Sequence, residues 1–323
     1  MQTPDIRVFH QKLHRWYQAH GRRDLPWRRT RDPYAIYISE IMLQQTQVKT
    51  VLERFYTPFL QRFPTLKALA DASEKEVLSA WQGLGYYRRA RNLRAAAKAS
   101  AGTLPQTIEA LEALPGIGKN TAHAIAAFAF GQKAAVMEAN VKRVLSRLYA
   151  LKSPSERDLW HKAHELLDRA KPFDYNQAMM DLGALVCLPK DPRCDLCPAS
   201  SLCLGQRAPQ HYPAAKQRKA VPVRKKNILV YRNHHGEFHA TARAGDFLSG
   251  LYHFAEGQTK PARGAKKLGS IRQQYSHFTL DADIYLVQKK TASGNNWHSL
   301  GKLKQLPMSK AEEKIVTMLD ALP

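Results

Sequence analysis

Glu40 is the only acid between Pro33 and Leu52, and it stands in a largely apolar run that ends in Gln44, Gln45, Thr46 and Gln47. A carboxyl among Ile, Met, Leu and Tyr is expected to hold its proton to near neutral pH and so to serve as an acid. Gln44 and Gln47 follow at four and seven positions, which places all three on one face of a predicted helix. The same spacing also suits a surface glutamate on an amphipathic helix. Glu138 is a second isolated acid, the only one between Ala113 and Ser155, and it shortly precedes Asn140-Val-Lys-Arg-Val144. Two carboxyls suit cleavage of a glycosidic bond. One protonates the leaving group and the other stabilises the cationic sugar or bonds to it. Glu138 equally suits a charge beside a helix N-terminus, and Asn140 an N-cap.

Cys187, Cys194, Cys197 and Cys203 are the chain's four cysteines, spaced C-x6-C-x2-C-x5-C. Four thiolates so close in sequence can close around one metal centre. Zinc is one candidate, although it usually takes two short C-x2-4-C knuckles and this chain has one; an iron–sulfur cluster is the other.

Leu114-Pro-Gly-Ile-Gly-Lys119 joins two predicted helices. Gly116 and Gly118 let a partner approach the backbone closely, and the following helix offers free N–H groups and a positive dipole end to a phosphate.

The elements that must position these groups fall into two textures. Helical periodicity runs through Tyr34–Val48, Val51–Phe63, Glu74–Trp81, Arg88–Ala101, Thr107–Leu114, Lys119–Phe130, Val141–Ala150, Ser155–Ala170 and Tyr175–Val186, punctuated by Gly and Pro. Residues 1–206 are therefore expected to form an all-helical domain containing the cysteine loop, 187–203. Arg207 to Lys226 holds seven Lys/Arg, three Pro and no acid, which reads as an extended basic linker. Residues 227–323 read as a small α+β domain. Strands are expected at Asn227–Arg232 and Phe238–Arg243 around a turn at His234–Glu237, another from near Phe278 through Tyr285–Val287, and a final helix opened by a capping box, Ser309 to Glu312.

Composition narrows the partners. The 323 residues carry 50 Lys+Arg against 27 Asp+Glu, a formal charge of +23. An excess of this size favours a polyanion, of which nucleic acid is the commonest. The longest nearly apolar stretch, around Ala122–Phe130, is too short to span a membrane, and Arg7, His10, Lys12 and Arg15 interrupt the N-terminus as no secretory signal would. A reducing, cytoplasmic setting of bacterial type is expected, in which clustered cysteines point to metal rather than disulfides.

The string around Glu40, the Gly-x-Gly hairpin, the cysteine spacing, Leu25-Pro-Trp27, Gly83-Leu-Gly-Tyr-Tyr87 and Asn176-Gln-Ala-Met-Met-Asp-Leu-Gly183 together resemble the MutY family of endonuclease III-like helix–hairpin–helix glycosylases. The likeness runs nearly continuously from Trp16 to Cys203 and resumes at Gly250-Leu-Tyr252 and Tyr275-Ser-His277. It implies a two-lobed helical core gripping DNA, a [4Fe–4S] cluster on the four cysteines, and a Nudix-like C-terminal domain. The implied substrate is double-stranded DNA with adenine opposite 8-oxoguanine or guanine, handled by a monomer without lyase chemistry. Glu40 would protonate the flipped adenine, Glu138 would support the cationic sugar, and Asn140 would help hold the site. Gln44, Gln45 and Thr46 would meet the DNA, with Gln45, Leu84 and Tyr86 filling the stack around the lesion. Gln177 would face the adenine, while Ser276 and His277 would sense the oxidised guanine.

The chain departs from that family at several places. Glu138 stands where the family has Asp, and Ala139 where Gly is usual. Asn120 stands where the family shows Ser or Tyr and where endonuclease III has its Schiff-base lysine, so no imine is expected there; Lys119, next to it, should point away. Tyr275 replaces the commoner Phe. No Glu-x-x-Glu-Glu helix is present, so pyrophosphatase activity is not expected of the C-terminal domain. Glu138 and Asn120 together keep open a glycosylase with a pocket reshaped for another base, or a mispair-binding protein with weakened chemistry.

Overall fold

Phe9, Leu13 and Tyr17 recur every four residues and are buried along α1 (Ile6–His20), whose first turn is capped by the Asp5 carboxylate accepting from the Val8 N–H. The computed structural model describes residues 4–215, 220–245, 247–257, 264–289 and 294–322. Eleven further helices follow: α2 (Pro33–Leu43), α3 (Val48–Arg54), α4 (Tyr56–Arg62), α5 (Leu66–Asp71), α6 (Glu74–Ala80), α7 (Arg88–Ala99), α8 (Ile108–Glu112), α9 (Lys119–Ala129), α10 (Ala139–Leu148), α11 (Glu156–Leu166) and α12 (Pro172–Asp181).

Several boundaries differ from the sequence expectation. The predicted helix through Val48 stops at Leu43, because Gln45 takes a positive φ of 56° and turns the chain. Gln47 becomes the N-cap of α3 and shares no helical face with Glu40. The predicted Val51–Phe63 helix is broken at Phe55, whose φ of −122° separates α3 from α4. The last predicted helix of this region begins earlier, at Pro172, and passes at Asp181 into a π-helical turn, Leu182–Val186. Such a widened turn breaks the regular ladder and often sits at a functional site.

The chain divides into two compact units. The first comprises Met1–Ala70 and Ala95–Gln217. Its core gathers α1, α10, α11 and α12 through residues such as Phe9, Leu145, Leu166, Ala178 and Met179. The second comprises Asp71–Arg94 and Arg218–Pro323. The helical segment of 71–94 is tied to its own unit by the Tyr87 hydroxyl donating to the Met308 carbonyl at 2.7 Å and the Gln82 amide donating to Glu313 at 3.1 Å. No composition change marks this crossing of the chain between units.

The second unit is an α+β fold. Its strands are β1 (Val223–Asn233), β2 (Phe238–His239), β3 (Thr241–Ala242), β4 (Tyr252–His253), β5 (Ala255–Gly257), β6 (Lys266–Gln274), β7 (Thr279–Lys289) and β8 (Trp297–His298), followed by helices α13 (Leu300–Leu303) and α14 (Lys310–Asp320). The main sheet runs β6-β7-β1-β2-β8, with β1 parallel to β7 and β6 antiparallel to β7. Strand β1 begins four residues inside the predicted linker, since Val223 already pairs with Thr279. Along β7, Leu280, Ala282, Ile284 and Leu286 alternate inward in the two-residue period of a half-buried strand. The turn after β1 forms as expected: Asn233 Oδ1 accepts from the N–H groups of His235 and Glu237, and Gly236 takes φ 78°. The predicted strand Phe238–Arg243 is instead two short pieces, β2 and β3. Ser309 caps α14 by accepting from the Ala311 N–H, while the Glu312 carboxylate takes the Ser309 hydroxyl rather than the N-cap N–H of a capping box.

Candidate active site and cysteine loop

Glu40 lies on α2, a helix buried on nearly every side from Tyr34 to Met42 and packed against α9. Asp32 caps it by accepting from the N–H groups of Tyr34 and Ala35, and Pro33 occupies its first position. A carboxyl in such surroundings loses its hydration. Burial pushes Glu40 from the ordinary 4.5 up to about 7; the Glu138 charge adds to the rise and the Arg28 guanidinium opposes it. Glu40 and Glu138, nearly a hundred residues apart in sequence, therefore act in one electrostatic field.

Three side chains fix the buried stretch of chain that delivers Glu138. Asn176 accepts from the Val136 N–H at 2.9 Å and donates to the Ala134 carbonyl at 2.8 Å. His123 Nδ1 meets the Ala135 carbonyl at 3.0 Å, and Asn120 Oδ1 accepts from the Met137 N–H at 2.7 Å. Glu138 is then the N-cap of α10, with Oε2 accepting from the Asn140 N–H at 3.0 Å and the Asn140 amide at 3.2 Å. The longer side chain thus folds back onto its own helix terminus. Its other oxygen, Oε1, is buried without a partner among the described residues. Burial raises the Glu138 carboxyl, and the Asn140 hydrogen bonds oppose the rise. Asn140 is a helical residue of α10 and not the cap.

Helix α10 carries three more contacts outward from Asn140. Arg143 donates to Asn140 Oδ1 at 2.8 Å, to the Gly183 carbonyl at 2.7 Å and to the Cys187 carbonyl at 2.8 Å. A Cβ at Gly183 would stand 2.5 Å from the Asn140 Cβ, so only glycine lets the π-helical turn approach this closely. One turn further on, Arg147 is 4% exposed and donates to the carbonyls of Leu188, Pro189, Pro209 and Tyr212 and to Cys187 Sγ at 3.3 Å. The four cysteines line one small cavity of about 30 Å³, together with Arg147, Val186 and Pro209. Burial raises the thiols of Cys197 and Cys203 to about 12 and 11. Among the described residues no group of three or more His, Cys, Asp or Glu is placed to hold a single metal ion.

Residues 38–169 match the family of HhH-GPD superfamily base excision DNA repair proteins. The adenine DNA glycosylase of Buchnera aphidicola subsp. Baizongia pistaciae is 33% identical over 97% of this chain and 97% of its own. The human adenine DNA glycosylase is 46% identical over 63% of this chain, which spans only 40% of that protein's length. The chain belongs to the adenine DNA glycosylase family. Among solved structures, a thermostable thymine-DNA glycosylase superposes with a TM-score of 0.58 at 32% identity, covering 62% of this chain and 96% of that one. An endonuclease III trapped on DNA gives 0.55 at 20% identity, covering 64% and 98%, a likeness of fold.

The hairpin of this adenine DNA glycosylase family member lies between α8 and α9. Gly116 has φ 77°, and Gly118 caps α9 with no side chain; a Cβ there would meet nothing within 4 Å, so the space before it is open. Asn120 carries no amine and is occupied by the backbone of Met137. Lys119 places Nζ 4.3 Å from the Trp160 ring centre. Gln44 donates to Thr121 Oγ1 at 3.2 Å and Gln177 is buried on α12. Gln45 is exposed and Thr46 half-buried on the turn after α2. These residues belong to the first unit. Leu84, Tyr86, Ser276 and His277 belong to the second, where Leu84 is buried, Tyr86 is 49% exposed at φ 52°, and Ser276 and His277 are exposed.

Sequence reasoning passed over several residues of the site. Arg28 donates to both oxygens of the buried Asp181 at 2.6 and 2.9 Å, and Arg22 Nε donates to the same carboxylate at 2.8 Å. The positive Arg28 is thereby held where it moderates Glu40. A charge that isolated in an apolar context, Asp181 within Met-Met-Asp-Leu, was the available signal. Asn176 and Arg143 carried none beyond their place in the motifs around Asn140 and Asn176, and Arg147 carried none.

Proposed function

We propose that this chain releases adenine from DNA in which adenine stands opposite 8-oxoguanine or guanine, by hydrolysis of the N-glycosidic bond and without a lyase step. The Glu40–Glu138 pair carries the reading. A carboxyl with a pKa about 7 is still half protonated at neutral pH, so Glu40 can give its proton to the departing base as the bond from the base nitrogen to the sugar carbon breaks. The second carboxyl faces the cationic sugar left behind. Oε2 of Glu138 is spent on the helix cap, so Oε1 is the oxygen available to the sugar, and water completes the reaction at the sugar carbon. The absence of an amine at Asn120 and the seating of Lys119 on Trp160 support a reaction without an imine.

The DNA backbone would be held at the open Gly118 end of α9, whose free N–H groups suit a phosphate. In the first unit, Gln44, Gln45, Thr46 and Gln177 would meet the extruded base; in the second, Leu84 and Tyr86 would enter the base stack. In the second unit, Ser276 and His277 would read the opposite base. The first unit would then serve as the catalytic domain and the second, which takes in residues 71–94 as well as 227–323, as the lesion-reading domain.

Cys187, Cys194, Cys197 and Cys203 would hold a [4Fe–4S] cluster. Their common cavity is apolar and receives an N–H from Arg147, a lining that suits a cluster whose thiolates each take a different iron. Bound there, the group would cross-link the loop. Iron and sulfide analysis tests this; stoichiometric zinc without iron would overturn it.

Single-turnover release of adenine from duplexes with 8-oxoguanine or guanine opposite tests the main reading. Release with a preference for 8-oxoguanine is expected. A Glu40→Gln protein that binds the duplex and still releases adenine would overturn the assignment of the acid.

A further inference from the structure

In the second unit, the loop between β3 and β4 is clamped at its base. The Gly250 N–H donates to the Arg243 carbonyl and the Arg243 N–H to the Leu251 carbonyl, both at 2.8 Å. Gly245, Leu248 and Gly250 all take positive φ, at 85°, 56° and 71°. A Cβ on Gly250 would meet the side-chain ends of Glu74, Arg91 and Leu78 at 3.1 to 3.3 Å, which would have to give by a few tenths of an ångström. Such a loop, clamped at its base, holds Leu248 in a strained backbone. Its product is one large side chain, Phe247, held at the surface with 36% of its area exposed.

The Phe247 ring stands edge-on to His277 and Tyr275 and tilted on Phe278. Its centre lies 5.2 Å from that of His277 at 88°, 5.3 Å from Tyr275 at 82°, and 5.4 Å from Phe278 at 57°. His277 is also bounded by Phe278 at 4.8 Å and 70°. Ser276 Oγ meets its Nδ1 at 3.2 Å. Nε2 is left as the ring nitrogen without a partner among the described residues. Arg224 stacks on Phe278, 4.4 Å from the ring centre.

We propose that Phe247 is a positioning residue for opposite-base recognition, setting the plane of His277 and walling one side of the surface on which the oxidised base is read. This rests on the reading that Ser276 and His277 sense that base. An exposed imidazole turns freely; two perpendicular rings restrict it to an orientation in which Nε2 can meet a base edge. Phe247, packed edge-on to the imidazole at 5.2 Å, also shields that ring from water, which strengthens a hydrogen bond it makes. It is a specificity determinant that acts through His277, from a loop far from the Tyr-Ser-His string in sequence.

The test compares full-length wild type, Phe247→Leu, Phe247→Tyr, a Ser276→Ala/His277→Ala variant and a Phe247→Leu/His277→Ala variant. Each is assayed for adenine release and duplex affinity with 8-oxoguanine or guanine opposite, and for His277 ring signals by selective ¹⁵N-histidine NMR. Phe247→Leu keeps an apolar side chain but loses the ring edge, so the preference for 8-oxoguanine is expected to fall roughly threefold to tenfold, the worth of one or two such contacts. The guanine duplex should be processed as before. The His277 signals should shift, Phe247→Tyr should restore both, and Phe247→Leu should add nothing once His277 is Ala. Wild-type preference in Phe247→Leu, with erosion in Ser276→Ala/His277→Ala, would overturn the proposal alone and leave Phe247 as packing. Wild-type preference in Ser276→Ala/His277→Ala would overturn the sensor reading itself, and this proposal with it.

Discussion

Replacing Glu40 by Gln should abolish base release and, at alkaline pH, make the protein more stable. The carboxyl rises from 4.5 to about 7 on folding, because the packed surroundings of α2 and the Glu138 charge disfavour its anion. At about 1.4 kcal/mol per pH unit this comes to roughly 3 kcal/mol. The sign follows from proton binding. Between those two values the folded chain binds a proton that the unfolded chain has released, so stability falls as pH rises through this window. Below about 4.5 both states are protonated and the penalty vanishes; above about 7 it is felt in full. Gln is neutral throughout. The stability difference between Glu40→Gln and wild type should therefore grow from about 1 kcal/mol at pH 5 to about 3 kcal/mol at pH 8.5, read from denaturant unfolding at each pH. The same pKa should appear in kinetics. Single-turnover release by wild type should fall about tenfold per pH unit above 7, as the protonated acid is depleted. A stability difference independent of pH, or a kinetic midpoint near 4.5, would refute the argument that packing around α2 sets this acid.

Three other substitutions probe the frame around the acids. Glu138→Asp should keep the α10 cap, since Asp is a good N-cap, and give release equal to or faster than wild type; a loss beyond tenfold would mean the longer arm is required. Arg143→Ala removes hydrogen bonds to Asn140, Gly183 and Cys187. Unfolding free energy should drop by about 2–4 kcal/mol and release by at least tenfold, with unchanged release at full folding counting against the link. Asp181→Asn strands two arginines, Arg28 being buried. A destabilisation of roughly 3–5 kcal/mol is expected in urea unfolding, and less than 1 kcal/mol would mean that water replaces the lost carboxylate.

The two candidate acids were more legible in the sequence than the boundaries. Glu40 and Glu138 stand out because each is a lone acid in an apolar stretch, and isolation of charge survives folding as burial. The helix ends were less legible. Nothing in Gln44-Gln45-Thr46 announces that Gln45 takes a left-handed backbone, so periodicity ran on to Val48. Phe55 likewise breaks a helix with a residue that periodicity counts as core. The amphipathic N-terminal segment was readable through Phe9, Leu13 and Tyr17, yet the cationic residues between them drew attention to targeting instead. Pairing between distant segments leaves no local trace at all. The parallel register of β1 with β7 and the membership of 71–94 in the second unit depend on contacts across more than fifty and more than a hundred residues, respectively.

Helix α10 explains why the acid and the cysteine loop occur as one construction. Glu138 caps the helix, and Asn140, Arg143 and Arg147 follow at steps of three and four, which puts them along one side. The first touches the acid, the second joins the first to the carbonyl of Cys187, and the third holds the loop through five protein acceptors. Arginine suits both joints because its guanidinium donates to several acceptors in a fixed plane. The loop consequently cannot shift without drawing on Arg143, and Arg143 cannot shift without releasing the amide that orients Glu138. A displacement of about 1 Å at a reacting group can cost on the order of a hundredfold in rate. Ordering the four cysteines therefore bears on the geometry of Glu138, even though none of them is required to touch the base.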